Sequence, residues 1–188
     1  MSIDYRTGNL FELFPSTLSP VVIPHIVNSI GAWGSGFVVP LEQKWPSTAQ
    51  LYRRWYREGW DYERGIPFEL GEAQIVCVEP ALPDIHGPIF VVNMIGQEGL
   101  IGRENPRPIK YGPLGRAMHT VEQLCLKLWD ENNPVEIHAP AFGSMRAGGD
   151  WKVIENLIQE LWKRGEYIKT FIYTLNEQEQ KALLDSLA

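Results

Sequence analysis

The sequence predicts an α/β protein with helices on both faces of its sheet. Three observations carry that expectation. Short apolar, β-branched runs alternate along the chain with longer segments of helical spacing. The short runs are continuously apolar, as strands buried on both faces are. Two glycine-rich stretches each stand between a strand and a helix, where open α/β sheets hold their ligands. With 188 residues, 44% of them apolar, the chain is most simply one domain over 1–188 with a substantial core.

Each element has its own signal. Ile3 to Thr7 is a short strand candidate closed by Gly8. Val21 to Asn28 is a second strand, and Val38 to Lys44 begins a helix. Pro46-Ser47 opens the next helix, with Leu51, Tyr52, Trp55 and Tyr56 on one face and Gly59 as its stop. Ala73 to Val78 and Ile89 to Met94 are apolar and β-branched. The link between them holds Pro80, Pro83, Asp84, Gly87 and Pro88, which suits a hairpin. From Leu114 to Trp129 apolar residues recur at helical spacing. Val135 to Ala139 is a strand ending at Pro140. Asp150 can cap a helix whose buried stripe is Trp151, Ile154, Leu157, Ile158, Leu161 and Trp162. Tyr167 to Leu175 is the last strand, and Asn176 can cap a short closing helix.

Charge and composition exclude several classes. The net charge of −6 argues against a general affinity for nucleic acid or anionic membranes. No apolar run reaches the ~18 residues of a membrane helix, and Met1 to Arg6 does not open a signal peptide. Cys77 and Cys125 lie in apolar patterns and read as reduced core residues of a cytoplasmic protein. One stretch interleaves basic and aromatic residues: Lys44, Arg53, Arg54, Trp55, Arg57 and Trp60. It fits either a nucleic-acid contact or the solvated face of an amphipathic helix, and the net charge favours the latter.

The first glycine stretch is Asn28-Ser29-Ile30-Gly31-Ala32-Trp33-Gly34-Ser35-Gly36-Phe37. Glycines let backbone approach a ligand closely and turn N–H groups toward one point, which suits an anion, most often a phosphate. Its spacing, G-x-x-G-x-G, differs from the dinucleotide fingerprint and from the nucleotide-hydrolase loop. The second stretch is Phe142-Gly143-Ser144-Met145-Arg146-Ala147-Gly148-Gly149. Adjacent in space, the two would clamp a ligand with two linked phosphates.

At these residues the chain resembles the macrodomain family of ADP-ribose-binding modules. Thr7-Gly8-Asn9-Leu10-Phe11 is similar to the family's opening motif. His25-Ile26-Val27-Asn28 and Gly31 to Phe37, with Lys44-Trp45-Pro46 and Tyr52, resemble its first phosphate loop and helix. Pro140-Ala141-Phe142-Gly143-Ser144, Gly148-Gly149 and Trp151 resemble the second, and Ile172 to Leu175 the last strand. The likeness is nearest the branch of ADP-ribose-1″-phosphate phosphatases and of terminal and DNA ADP-ribose glycohydrolases.

The resemblance implies a three-layer α/β/α fold with a mixed sheet of about six strands and a cleft for ADP-ribose. It implies that Gly31, Ala32, Trp33, Gly34, Ser35, Gly36 and Phe37 hold the diphosphate from one side. Gly143, Ser144, Met145, Arg146, Ala147 and Gly148 would hold it from the other. Asn9, flanked by Gly8 and Leu10, takes the place of an aspartate that reads adenine, or is a turn residue. Tyr173 or Leu175 walls the adenine or belongs to the core. Asn28 can orient hydroxyls of the far ribose or a water, and His25 joins it if a bulge brings the two to one side. His25 otherwise reads as a core histidine, as does His138. Arg146 pairs with a phosphate or is a solvated loop arginine. The lysine and aspartate of the terminal glycohydrolases fall near Gly96-Gln97 and Ala147 here, so a covalent lysine intermediate has no support. No cluster of His, Cys and carboxylate stands at metal-ligand spacing, so no metal or other cofactor is expected. Three functions remain open: a hydrolase acting on an ADP-ribose derivative, a non-catalytic ADP-ribose reader, and an unrelated Rossmann-type nucleotide enzyme. The expected partner is ADP-ribose or an ADP-ribosylated protein or nucleic acid.

Overall fold

The computed structural model describes residues 3–12, 17–144, 146–163 and 165–188. Met145, expected in the second loop, lies outside the described residues. The chain runs β1 (Asp4–Thr7), β2 (Val21–Asn28), α1 (Val38–Lys44), α2 (Ser47–Glu58), β3 (Trp60–Asp61) and β4 (Ile66–Pro67). It continues through β5 (Ala73–Glu79), β6 (Ile89–Gln97), α3 (Tyr111–Leu128), β7 (Val135–Pro140), α4 (Trp151–Leu161), β8 (Ile168–Thr174) and α5 (Glu177–Asp185). One six-stranded sheet has the order β1-β8-β7-β2-β6-β5. All its neighbours are parallel except β5, which pairs antiparallel with β6 as the hairpin reading expected. The small β3–β4 pair was not foreseen, because two-residue strands carry no periodicity.

Apolar strand residues point alternately into two cores. Val22, Val92, Met94, Ile137 and Ile172 pack with α3 and α4 on one face. Val21, Ile23 and Val91 meet Leu41 of α1 and Trp45 on the other, and Val27 and Ile95 meet Tyr52 and Trp55 of α2. The stops are chemical. Gly59 ends α2 in the left-handed conformation (φ 70°) with its N–H on the Trp55 carbonyl. Asp150 caps α4 by accepting from the Lys152 N–H, and Asn176 caps α5 by accepting from Glu179. Cys125 is buried, but Cys77 is exposed, contrary to expectation. Ala73 and Ile75 still pack under α3, whereas Cys77, two residues on, lies on an edge strand beyond that cover.

The sheet opens between β2 and β7. These strands ladder at Val21–Glu136 and Val22–Ile137, whereas β2 ladders with β6 along its full length. Pro24 explains the difference. The Val21 N–H points to the β6 side, onto the Pro88 carbonyl, so alternation turns position 24 toward β7. A proline there has no N–H to give, and the ladder ends.

Candidate functional site

The opening between β2 and β7 is the point where successive connections leave the sheet in opposite directions. Ligand clefts form there, beyond the carboxyl ends of the strands. Both glycine loops follow these two adjacent strands, and a cleft of about 1530 Å³ lies between them. Ala32, Trp33, Gly34, Ser35, Gly36 and Phe37 of the first loop line it, with His25 and Asn28 of β2, and so do Gly143, Ser144, Arg146 and Ala147 of the second. Gly8, Asn9 and Leu10, which follow β1, and Tyr173 of β8 also line it. Gly31 and Gly148 do not reach the wall. A Cβ on Gly31 would run into the Tyr56 ring, and one on Gly148 into the Pro106 carbonyl, so both positions serve loop packing.

The loops present their backbone to the cleft. Among the described residues, the N–H groups of Trp33, Gly34, Ser35, Gly36 and Phe37 have no hydrogen-bond partner. The same holds for Gly143, Ser144, Arg146 and Ala147. Backbone donors are obligatory hydrogen bonders, so two such rows facing one crevice need water or an acceptor ligand. Gly34 is open: a Cβ there would meet nothing within 4 Å. Arg146 reaches from the second loop across to the first, with its Nε 3.2 Å from where a Cβ on Gly36 would stand. The helix ends add less than the sequence suggested. Asp150 already fills the N-terminus of α4, and its carboxylate opposes an anion there.

Asn28 shapes the first loop. Its Oδ1 accepts from the backbone N–H of Ile30 (3.1 Å) and Ala32 (2.9 Å) and from the Tyr52 hydroxyl (3.2 Å). Its Nδ2 donates to the Ala32 carbonyl at 2.7 Å. The side chain expected to orient a ribose is thus largely engaged by its own loop. A register shift between Val27 and Asn28 lets this residue and His25 line the same cleft. His25 is 2% exposed, bonds Asn93 Oδ1 through Nε2 at 2.6 Å, and lies beside the Trp33 and Phe37 rings. Burial pulls its pKa down to about 4 although the Asn93 bond works the other way, so the ring is neutral at pH 7. Trp33 Nε1 is enclosed with no partner among the described residues.

The remaining expected residues take both proposed parts. Asn9 Oδ1 accepts from the Phe11 N–H at 3.0 Å, an Asx turn at the cleft rim. Tyr173 lines the cleft while its hydroxyl meets His138 Nδ1 at 2.8 Å. His138 is fully buried, stacked on Phe171 and bonded to Glu136. Ser144 spends its hydroxyl on the Ala141 carbonyl. The basic residues of α2 are paired with acids: Arg53 with Glu42, Arg54 with Glu63 and Arg57 with Glu58. That face is a network of mixed charge, not a basic patch. Gln97, the last residue of β6 and the register partner of Asn28, lines the cleft, as do Leu100 and Ile101 just after β6; the sequence had not marked these three as lining residues. The sequence signal was the adjacent apolar pair Leu100-Ile101 in a turn-rich segment after a strand; the structure shows each to be about half exposed.

This fold and cleft define a three-layer α/β/α protein with two glycine-containing loops facing one crevice at the sheet's switch point. A macrodomain protein from Streptomyces coelicolor is 31% identical, with a TM-score of 0.70, the match covering 93% of this chain and 100% of that one. A protein of unknown function from Bacteroides thetaiotaomicron is 30% identical, with a TM-score of 0.74 over 93% of this chain and 99% of its own. Thermosipho africanus DarTG in complex with ADP-ribose matches at 13% identity and a TM-score of 0.60, over 84% of this chain and 38% of that one. No protein-family model matches the chain, and neither does any curated protein sequence. The chain belongs to the macrodomain family.

Proposed function

We propose that residues 1–188 form one macrodomain that binds ADP-ribose and hydrolyses an ADP-ribose derivative, of the glycohydrolase or ADP-ribose-1″-phosphate phosphatase type. The observation that carries this reading is the pair of amide rows without a partner among the described residues, Trp33 to Phe37 on one side and Gly143, Ser144, Arg146 and Ala147 on the other, across one crevice. A pyrophosphate supplies acceptors to both rows at once, and Arg146 adds a charge beside them. The ADP-ribose held by the DarTG relative supports the choice of ligand. The far ribose would then lie by Asn28, His25 and Gln97. In a glycohydrolase reaction a water oxygen bonds the anomeric carbon, the bond to the leaving group breaks, and the leaving group takes the proton that water gives up. Binding and orientation would supply most of the acceleration. A reducing, cytoplasmic setting suits the two free cysteines.

A second reading, a reader without chemistry, is favoured by one observation: Asn28 is engaged by its own loop. Calorimetry with ADP-ribose tests the shared premise, with an expected dissociation constant in the micromolar range, on the order of −8 kcal/mol. No heat at millimolar ligand removes both readings. Mass spectrometry separates them, by looking for ADP-ribose or phosphate released from ADP-ribose-1″-phosphate, O-acetyl-ADP-ribose and ADP-ribosylated protein, DNA and RNA. Release from none of these leaves the reader.

A further inference from the structure

A chain of buried polar side chains runs from the small β3–β4 pair to the cleft, and its hydrogen bonds have a direction. Asp61 on β3 is 4% exposed. Its Oδ1 accepts from the Glu63 and Arg64 N–H groups, both at 3.1 Å. Its Oδ2 accepts from Arg64 Nη1 at 2.9 Å and from Gln74 Nε2 at 2.7 Å. Every neighbour of this carboxyl is a donor, so Asp61 is a carboxylate. Burial works to raise its pKa, but Gln74 and Arg64 bring it below the usual value.

The direction then propagates. The Gln74 amide nitrogen donates to Asp61 and to the Leu51 carbonyl (3.2 Å), two groups that can only accept. Turning that amide over would set oxygen against oxygen twice, which settles its orientation. Gln74 Oε1 therefore accepts from Asn93 Nδ2 at 3.1 Å, and the same nitrogen donates to the Thr48 carbonyl at 3.3 Å. Asn93 is settled by the same logic, and its Oδ1 is what faces His25 Nε2 at 2.6 Å. An acceptor at that distance requires a proton on Nε2.

We propose that Asp61, Gln74 and Asn93 lock His25 in its Nε2–H tautomer, and that Nδ1 thereby faces the cleft as a lone-pair acceptor for a ligand hydroxyl or a bound water. Nδ1 has no hydrogen-bond partner among the described residues. Nor is it enclosed: among those residues Trp33 Nε1 is the buried side-chain polar atom without a partner, and His25 lines the cleft. The ring resists protonation, so Nδ1 orients an O–H group rather than storing its proton. Asn93, Gln74 and Asp61 are positioning residues that act through His25. The ligand part of this proposal rests on the cleft holding ADP-ribose; the tautomer part does not.

The test is nitrogen-15 NMR of the histidine rings in the intact protein at pH 7. The expected His25 pattern has a protonated Nε2 and an unprotonated Nδ1. The reverse pattern overturns the proposal, and this measurement needs no variant. In Asn93→Leu the lock is removed without a polar replacement, and an Nδ1–H form is expected to emerge. A pure Nε2–H pattern in that variant means that the amide chain does not set the tautomer. On addition of ADP-ribose the Nδ1 resonance is expected to move and Nε2 to stay. Calorimetric binding with a still Nδ1 overturns its ligand role while the binding reading stands. Absence of binding removes the ligand role together with that reading, and the pattern in the free protein still decides the tautomer. His25→Phe is expected to weaken ADP-ribose binding about tenfold, the effect of one lost hydrogen bond; unchanged affinity counts against the acceptor role.

Discussion

Replacing Asn28 by alanine separates a residue that builds the first loop from one that acts on a substrate. The substitution removes bonds from Ile30 N, from Ala32 N and to the Ala32 carbonyl. The Tyr52 hydroxyl loses Asn28 Oδ1 but keeps the Asn28 backbone carbonyl at 2.6 Å. At about 1 kcal/mol net per bond, three lost bonds set an upper figure of about 3 kcal/mol. Ile30 and Ala32 are not buried and can rehydrate, which brings the expected loss nearer 2 kcal/mol. Denaturant unfolding should show that loss as a lower midpoint at constant slope. If the row from Trp33 to Phe37 is disordered by the same amount, ADP-ribose affinity falls roughly thirtyfold in calorimetry. Any turnover at saturating substrate should then survive. Unchanged affinity and stability with turnover abolished would refute the loop-building argument and return Asn28 to the chemistry.

Three other outcomes are expected. Gly34→Glu should leave stability within about 0.5 kcal/mol, because its Cβ meets nothing within 4 Å, yet abolish ADP-ribose binding by placing a carboxylate in the cleft; retained affinity in calorimetry means the loop is not the phosphate cradle. Gly143→Ala should destabilise by about 2 kcal/mol or more, since φ is +77° and its Cβ would stand 2.7 Å from Ile109 Cδ1; an unshifted denaturation midpoint contradicts this. His25 has a folded pKa of about 4 against 6.5 in the unfolded chain, so the unfolded state binds more protons between those values and stability falls as pH drops through that window. The stability advantage of wild type over His25→Phe should shrink by about 3 kcal/mol from pH 7 to pH 4, and a difference independent of pH argues against a buried neutral ring.

Reading from residues to space, the strands, the main helices and both loops followed from local pattern. Apolar runs, caps such as Asp150 and Asn176, and the stop at Gly59 act over a few residues and leave their mark in composition. The glycine loops were legible for the same reason, although two of their glycines, Gly31 and Gly148, turned out to serve packing against Tyr56 and Pro106. Strand order, the fork that Pro24 opens between β2 and β7, and the exposure of Cys77 depend on which segments become neighbours, and no local pattern encodes that. The roles of Asn28 and His25 belong to the same category. Asn28 is occupied mainly by Ile30 and Ala32 of its own loop, which the fold closes around its side chain, and Tyr52, 24 residues away, adds one further bond; His25 bonds Asn93, 68 residues along the chain. A hydrogen bond needs atoms within about 3 Å, and for partners this distant in sequence folding alone brings them so close.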